Sequence, residues 1–182
     1  MKKILFIVGS LRKGSFNLQV AHEVELMLNG KAEVSYLDYS DVPFINEDYE
    51  YPAPEAVTRL RDIVASADAL WVFTPEYNHS CPSQLKNVFD WLSRPVKPKG
   101  YDVPTAIRGK KVALSGAGGT QRTAKCREKL VELLQVIGAD VMTEPQTGIE
   151  LGAEAWTEGR MVLSDDDKRN LAAEAKAFLE FI

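Results

Sequence analysis

The chain has 182 residues, 45% of them hydrophobic and 26% charged, with a formal net charge of −4. That length suits one domain, residues 1–182, with a proper core, and the acidic balance argues against nucleic acid or an anionic membrane as partner. The apolar runs are too short to span a bilayer, and Cys81 and Cys126, far apart and without a C-x-x-C, fit a reducing cytoplasm better than a disulfide framework.

Taken in order, Ile4-Leu5-Phe6-Ile7-Val8 predicts a buried first strand. Met1-Lys2-Lys3 before it imitates a signal peptide, but Gly9 cuts the apolar run short. The turn that follows, Gly9-Ser10-Leu11-Arg12-Lys13-Gly14-Ser15-Phe16-Asn17, leads into a helical stripe of Val20, Ala21, Val24, Met27 and Leu28, stopped by Asn29-Gly30. Glu33 to Leu37 alternates as an edge strand. Residues 38–53 form a long acidic loop, of the kind that is functional or mobile. Pro54 opens a helix carrying Val57, Leu60 and Val64, and Ala69 to Phe73 is a second fully apolar strand.

That strand runs into Thr74-Pro75-Glu76-Tyr77-Asn78-His79-Ser80, then a helix with Leu85, Val88, Phe89 and Leu92 on one face. Residues 94–109, with Pro95, Pro98, Gly100, Pro104 and Gly109, predict an irregular excursion. Lys111 to Leu114 is the fourth strand, and Ser115-Gly116-Ala117-Gly118-Gly119-Thr120 is expected as a loop after it. Cys126, Leu130, Leu133, Leu134 and Ile137 mark a core-facing helix ended by Gly138, and a last strand region begins at Ala139. Ser164, followed by Asp165, Asp166 and Asp167, caps a final helix that buries Leu171, Ala175, Phe178 and Ile182.

Apolar strands alternating with amphipathic helices predict an α/β fold, a flavodoxin-like five-stranded parallel sheet in the order 2-1-3-4-5 with helices on both faces. Ligands of such sheets sit beyond the carboxyl ends of the strands near the switch point. The turns at 9–17, 75–80 and 115–120 fall there.

The first turn lacks G-x-G-x-x-G, the G-K-[ST] of an NTP-binding loop, and any cysteine nucleophile. The acidic residues of a receiver domain are missing at the ends of strands one and three, and His22 and His79 are the only histidines, too few for a clustered metal site. What the first turn does hold is a phosphate monoester site: Ser10, Arg12, Ser15 and Asn17 with the N–H groups of a helix start. The plainer reading is that Ser15 or Asn17 only caps the helix.

In the second turn Tyr77, Asn78 and His79 offer a ring and amides to a flat heterocycle; equally, Asn78 and Ser80 can bond their own backbone. Glu76 is a base, or else a carboxylate that is solvated or bonds nearby backbone, and His79 a proton-exchange group or a surface residue. In the third, Gly116, Gly118 and Gly119 allow close approach of a ligand or merely serve the turn. Cys126 reads as core, and Cys81 has no basic partner in view. Trp71 and Trp91 read as packing; Trp156 has no assigned role.

Gly9-Ser10-Leu11-Arg12-Lys13-Gly14-Ser15-Phe16-Asn17 matches G-S-x-R-x-x-S-x-N. Thr74 to Pro82, continued by Leu85-Lys86-Asn87 and Asp90-Trp91-Leu92-Ser93-Arg94, matches T-P-E-Y-N-x-S-x-P-x-x-L-K-N-x-x-D-W-L-S-R. Together these resemble the NADPH-dependent FMN reductase family of quinone, azo-dye and chromate reductases, from the first strand through the fourth helix. Ser83 departs from that family's usual glycine, and residues 115–122 resemble its glycine-rich loop only loosely.

The resemblance implies FMN, with Ser10, Arg12, Ser15 and Asn17 on the phosphate, Pro75, Glu76, Tyr77, Asn78 and His79 along the ring, and Ser115, Gly116 and Gly118 on its other side. It implies a cytoplasmic enzyme passing hydride from NADPH or NADH through FMN to a quinone-like acceptor, with no catalytic side chain and no metal. The alternatives are a flavodoxin-like electron carrier and a flavin-free module on the same fold. It also implies a homodimer or homotetramer, in which Lys86, Asp90 and Arg94 meet a neighbouring subunit or else form local ion pairs.

Overall fold

A computed structural model describes residues 1–98 and 103–182. Gly100 of the expected 94–109 excursion lies outside the described residues. The sheet is parallel, with β1 (Lys2–Val8), β2 (Ala32–Tyr36), β3 (Ala69–Phe73), β4 (Lys111–Gly118) and β5 (Asp140–Val141) in the order β2-β1-β3-β4-β5. The helices are α1 (Phe16–Leu28), α2 (Glu55–Ser66), α3 (Ser83–Ser93), α4 (Ala124–Val136), α5 (Ala153–Glu158) and α6 (Asp165–Phe181).

Parallel strands buried on both faces read as continuous apolar runs, and side-chain alternation then sorts them. Leu5, Ile7, Leu70, Val72, Val112 and Leu114 point into one core with α2, α3 and α4. Ile4, Phe6, Ala69, Trp71, Phe73 and Ala113 point into the other with α1 and α6. The ends follow local chemistry. Gly30 takes a left-handed φ of 75° just past α1, and Ser164 and Asp167 form a reciprocal capping box on α6. Pro54 and Pro82 stand one residue before their helices, as caps without side-chain bonds.

Two differences from the sequence expectation bear on the site. The fourth strand does not stop at Leu114 but continues to Gly118. It is held there by a sixth strand, β6 (Gly148–Glu150), which pairs with Gly116–Gly118, whereas β5 pairs only with Lys111–Val112. The fifth position in the sheet is therefore shared by two short strands, joined by a bend at residues 142–147. β6 carries no apolar alternation to betray it.

The long 38–53 loop is anchored rather than loose. Tyr39 donates its hydroxyl to the Val8 carbonyl at 2.6 Å. Asn87 on α3 accepts the Ile45 N–H at 2.8 Å and donates to the Pro43 carbonyl at 2.9 Å, and Trp91 donates to the same carbonyl at 2.8 Å. Arg94 grips the Glu50 carboxylate with two bonds of 2.8 and 2.7 Å, and Lys86 pairs with Asp90 within α3. The L-K-N-x-x-D-W-L-S-R stretch thus staples this loop to the fold, and Lys86, Asp90 and Arg94 find partners within their own chain.

Candidate functional site

The first turn leaves β1 at Gly9, whose N–H bonds the Phe73 carbonyl at 2.7 Å, so the ends of β1 and β3 open together at the switch point. Ser15 caps α1 by accepting the Leu18 N–H at 3.2 Å. The capping reading of Ser15 is therefore correct, and Ser10 and Ser15 also line the same cavity. Arg12 arches over the turn, donating to the Gly14 carbonyl, with its guanidinium 4.8 Å from the Phe16 ring centre.

Ser10, Arg12, Ser15, Phe16 and Asn17 line one cavity of about 260 Å³ together with Pro75, Glu76 and Tyr77 from the second turn, and Ala117, Gly118 and Gly119 from the third. Leu151 and Trp156 close it.

Asn17 lines the cavity with its amide already engaged. Its Nδ2 donates to the Ala117 carbonyl at 3.1 Å and its Oδ1 accepts the Ala117 N–H at 2.8 Å, both bonds buried. Glu76 is engaged too. Its Oε2 accepts the N–H of Cys126 at 2.9 Å, in the first turn of α4, whose own cap residue Thr123 contributes no side-chain bond. Glu76 is thus bonded to backbone, though to a residue 50 positions away rather than to the nearby chain that the sequence suggested. Its Oε1 lies 3.3 Å from His79 Nδ1.

Tyr77 and Ser80 exchange both backbone bonds, at 2.9 and 3.0 Å. Asn78 and His79 between them take φ of 52° and 57°, the mirror-image turn that tolerates Asn at left-handed positions. Asn78 and His79 are exposed and do not line the cavity, whereas Tyr77 lines it with its residue about half exposed (51%).

Ser115 and Gly116 stand behind the cavity rather than in its wall. The Ser115 hydroxyl accepts from Trp71 Nε1 at 2.9 Å and donates to Glu174 Oε2 at 3.0 Å, inside the core. Gly116 is boxed in: a β-carbon there would overlap Thr123 Oγ1 and the Thr74 carbonyl. The same Glu174 oxygen accepts the Thr147 N–H at 2.8 Å, tying the strand bend to β4. Burial pushes the Glu174 carboxyl up to about 7, against the opposing pull of its bonds to Thr147 and Ser115 and of nearby Arg127.

Phe16, Ala117, Leu151 and Trp156 are the cavity-lining residues that sequence reasoning missed. Trp156 sits on α5 with its ring edge-on to Phe16 at 5.4 Å and its residue 63% exposed. A signal was present, because Gly152 and Gly159 bracket a short helix that carries a single large apolar residue. Leu151 donates its N–H to the Gly118 carbonyl at 2.7 Å, a bond that depends on the unforeseen β6.

A parallel sheet of this order, with hydroxyls, a guanidinium and a helix start beside an aromatic turn at its switch point, defines a flavodoxin-like protein. The model of the NADPH-dependent FMN reductase family matches residues 2–154. An NAD(P)H-dependent FMN reductase of Pseudomonas aeruginosa is 34% identical over 171 residues, covering 93% of this chain and 88% of that one. A quinone reductase of Escherichia coli is 32% identical over 186 residues, covering 99% and 95%. Among solved structures, the flavoenzyme NAD(P)H:(acceptor) oxidoreductase FerB of Paracoccus denitrificans superposes with a TM-score of 0.86 at 32% identity, covering 99% of this chain and 96% of that one. The chain belongs to the NADPH-dependent FMN reductase family, an oxidoreductase family that uses FMN with NAD(P)H. Among the described residues no helix is long and apolar enough to cross a membrane and no cluster of side chains is fit to hold a metal ion.

Proposed function

We propose that this chain is an NAD(P)H-dependent quinone reductase that seats FMN in the cavity between the three turns. The observation that carries the reading is the union of an anion-binding end and an aromatic end in one cavity: Ser10, Arg12, Ser15 and the start of α1 beside Pro75 and Tyr77. The donor set suits a phosphate monoester, with two hydroxyls, a permanently charged guanidinium and helix amides in a row. Bound FMN supplies a ring that accepts hydride from a nicotinamide and returns electrons to an acceptor.

The protein's own work is to hold and shape. Ser10, Arg12 and Ser15 fix the phosphate, while Asn17 keeps Ala117 and the end of β4 in place against the ring. Glu76 locks the second turn to α4, so that Pro75 and Tyr77 stay at one height above the sheet edge. Asn78 and His79 form the tip of that turn at the rim, and Ser115 and Gly116 support the ring's floor from behind through Gly118. Among the described residues, the one carboxylate that lines the cavity, Glu76, is tied to the Cys126 N–H, which suits chemistry carried by a cofactor.

A cavity of about 260 Å³ is small for a complete ligand site. A flavin ring held there would be only partly covered, leaving room for a nicotinamide and then a quinone-like acceptor, and a second copy of the chain in a homodimer or homotetramer would add cover. The free thiols of Cys81 and Cys126 suit a cytoplasmic setting.

The test is anaerobic mixing of the FMN-loaded protein with NADPH or NADH, followed by 1,4-benzoquinone. Loss of the flavin absorbance on the first addition and its return on the second are expected. Reduction by dithionite but by neither nicotinamide would refute the reading and leave an electron carrier.

A further inference from the structure

Trp156 is the one large apolar side chain of α5, and it lines the cavity at the switch point although it is largely exposed. It lies two positions past the residues that the family model matches, 2–154, so that match does not account for it. Its neighbours set its place along the cavity. The indole meets the Phe16 ring edge-on, and the Arg12 guanidinium lies over that same ring at 4.8 Å. Phe16 directly follows Ser15, the cap of α1. Trp156 therefore stands at the anion-binding end of the cavity rather than at the Pro75 and Tyr77 end.

The backbone that carries the indole is held on both sides. Leu151, just before α5, donates its N–H to the Gly118 carbonyl at 2.7 Å. Just after α5, Gln19 of α1 donates its amide to the Gly159 carbonyl at 3.1 Å and accepts the Met161 N–H at 2.9 Å. Ala155, beside Trp156, is buried. The short helix is thus strapped between the end of β4 and the flank of α1, which makes the indole a wall of the cavity.

Flavin chemistry gives a wall in this place a consequence. FMN ends at its phosphate, whereas in FAD the same phosphate is a diester that carries an adenylate onward. With FMN seated as proposed above, a reading on which this inference rests, the adenylate of FAD has to leave the cavity at the end that Arg12, Phe16 and Trp156 occupy. Obstruction of the wrong ligand is a general source of specificity. We propose that Trp156 is a specificity-determining residue for the cofactor: its indole closes the phosphate end of the cavity, admitting FMN and obstructing FAD.

The experiment dialyses the full-length FMN-loaded protein to equilibrium against an equimolar excess of FMN and FAD, then releases the bound flavins and quantifies each by chromatography. In the unaltered chain, bound FMN is expected to exceed bound FAD by roughly tenfold or more, and in Trp156→Ala that ratio falls by about fivefold or more. The Kd for FMN, read from flavin fluorescence on dilution, stays within about threefold. Trp156→Leu keeps apolar cover on Phe16 while shortening the wall and moves the ratio the same way, so the test does not depend on the alanine variant folding. Tyr77→Ala, at the ring end that both flavins share, leaves the ratio within about twofold.

FAD held as well as FMN by the unaltered chain, or a ratio that neither Trp156 variant moves, would overturn the assignment while leaving the seating of FMN in place. So would a fall produced by looser FMN alone, or an equal fall in Tyr77→Ala. A chain that retains neither flavin would instead overturn that seating, and the assignment with it.

Discussion

The Asn17 side chain holds both backbone groups of Ala117, donating to its carbonyl at 3.1 Å and accepting its N–H at 2.8 Å, across 100 positions of sequence. The first helix is thereby latched to the outer end of β4, which joins the first and third turns of the site. Removing the amide leaves two buried backbone groups unpaired, each costing about 1–3 kcal/mol. Asn17→Ala is expected to lower stability by about 2–4 kcal/mol in urea unfolding and to weaken FMN binding through displacement of Ala117. A loss below about 0.5 kcal/mol, the range of an ordinary surface change, would show that the latch is unimportant.

Gly116 and Gly119 provide a paired test of β4. A β-carbon at Gly116 overlaps Thr123 and the Thr74 carbonyl, whereas at Gly119 it meets nothing within 4 Å. Gly116→Ala should cost about 2 kcal/mol or more by overpacking, and Gly119→Ala should stay within about 0.5 kcal/mol. Thermal unfolding of the two variants side by side checks this, and equal shifts would contradict the packing described for Thr123.

Glu174 sets a pH dependence. Its carboxyl rises from an ordinary 4.5 to about 7 because burial disfavours the charge. Below pH 4.5 the group is protonated in both folded and unfolded chains and its contribution is fully present. As pH climbs through about 7 the unfolded chain has released the proton and the folded chain must carry a buried charge, so the contribution is lost. The span corresponds to about 3 kcal/mol. Glu174→Gln keeps an acceptor for Thr147 and Ser115 and removes the titration. Urea unfolding should show the unaltered protein losing stability relative to this variant between pH 4.5 and 7. Parallel curves would contradict the buried neutral acid.

Much of the fold was legible because parallel strands must be apolar on both faces, and Ile4–Ile7 and Ala69–Phe73 are. That Ser10, Arg12 and Ser15 meet at one strand-to-helix junction was legible, because they lie within six positions of one another. β6 was not, since Gly148–Glu150 is held by backbone pairing to Gly116–Gly118 and leaves no apolar alternation. The engagement of Asn17 and of Glu76 was hidden for a related reason. Their partners, Ala117 and Cys126, lie 100 and 50 positions away, and a polar residue at a loop has the same appearance in sequence whether it faces a ligand or a distant backbone. Trp156 meets the site through its tertiary contact with Phe16, 140 positions away in sequence, which the glycines around its short helix do not foretell.

The central claim is that residues 10–15 grip the phosphate of FMN while the ring rests against Pro75 and Tyr77. Arg12 is exposed and its removal should barely alter folding, so its role is separable from stability. The most direct measurement is equilibrium titration of the apo-protein with FMN and with riboflavin, which differ only in that phosphate. Two or three charge-assisted hydrogen bonds predict FMN binding roughly 100-fold tighter or more than riboflavin, with the ratio collapsing toward one in the Arg12→Ala, Ser15→Ala double variant while riboflavin affinity holds. Equal affinity for the two flavins in the unaltered protein, or a ratio untouched by the double variant, would contradict it.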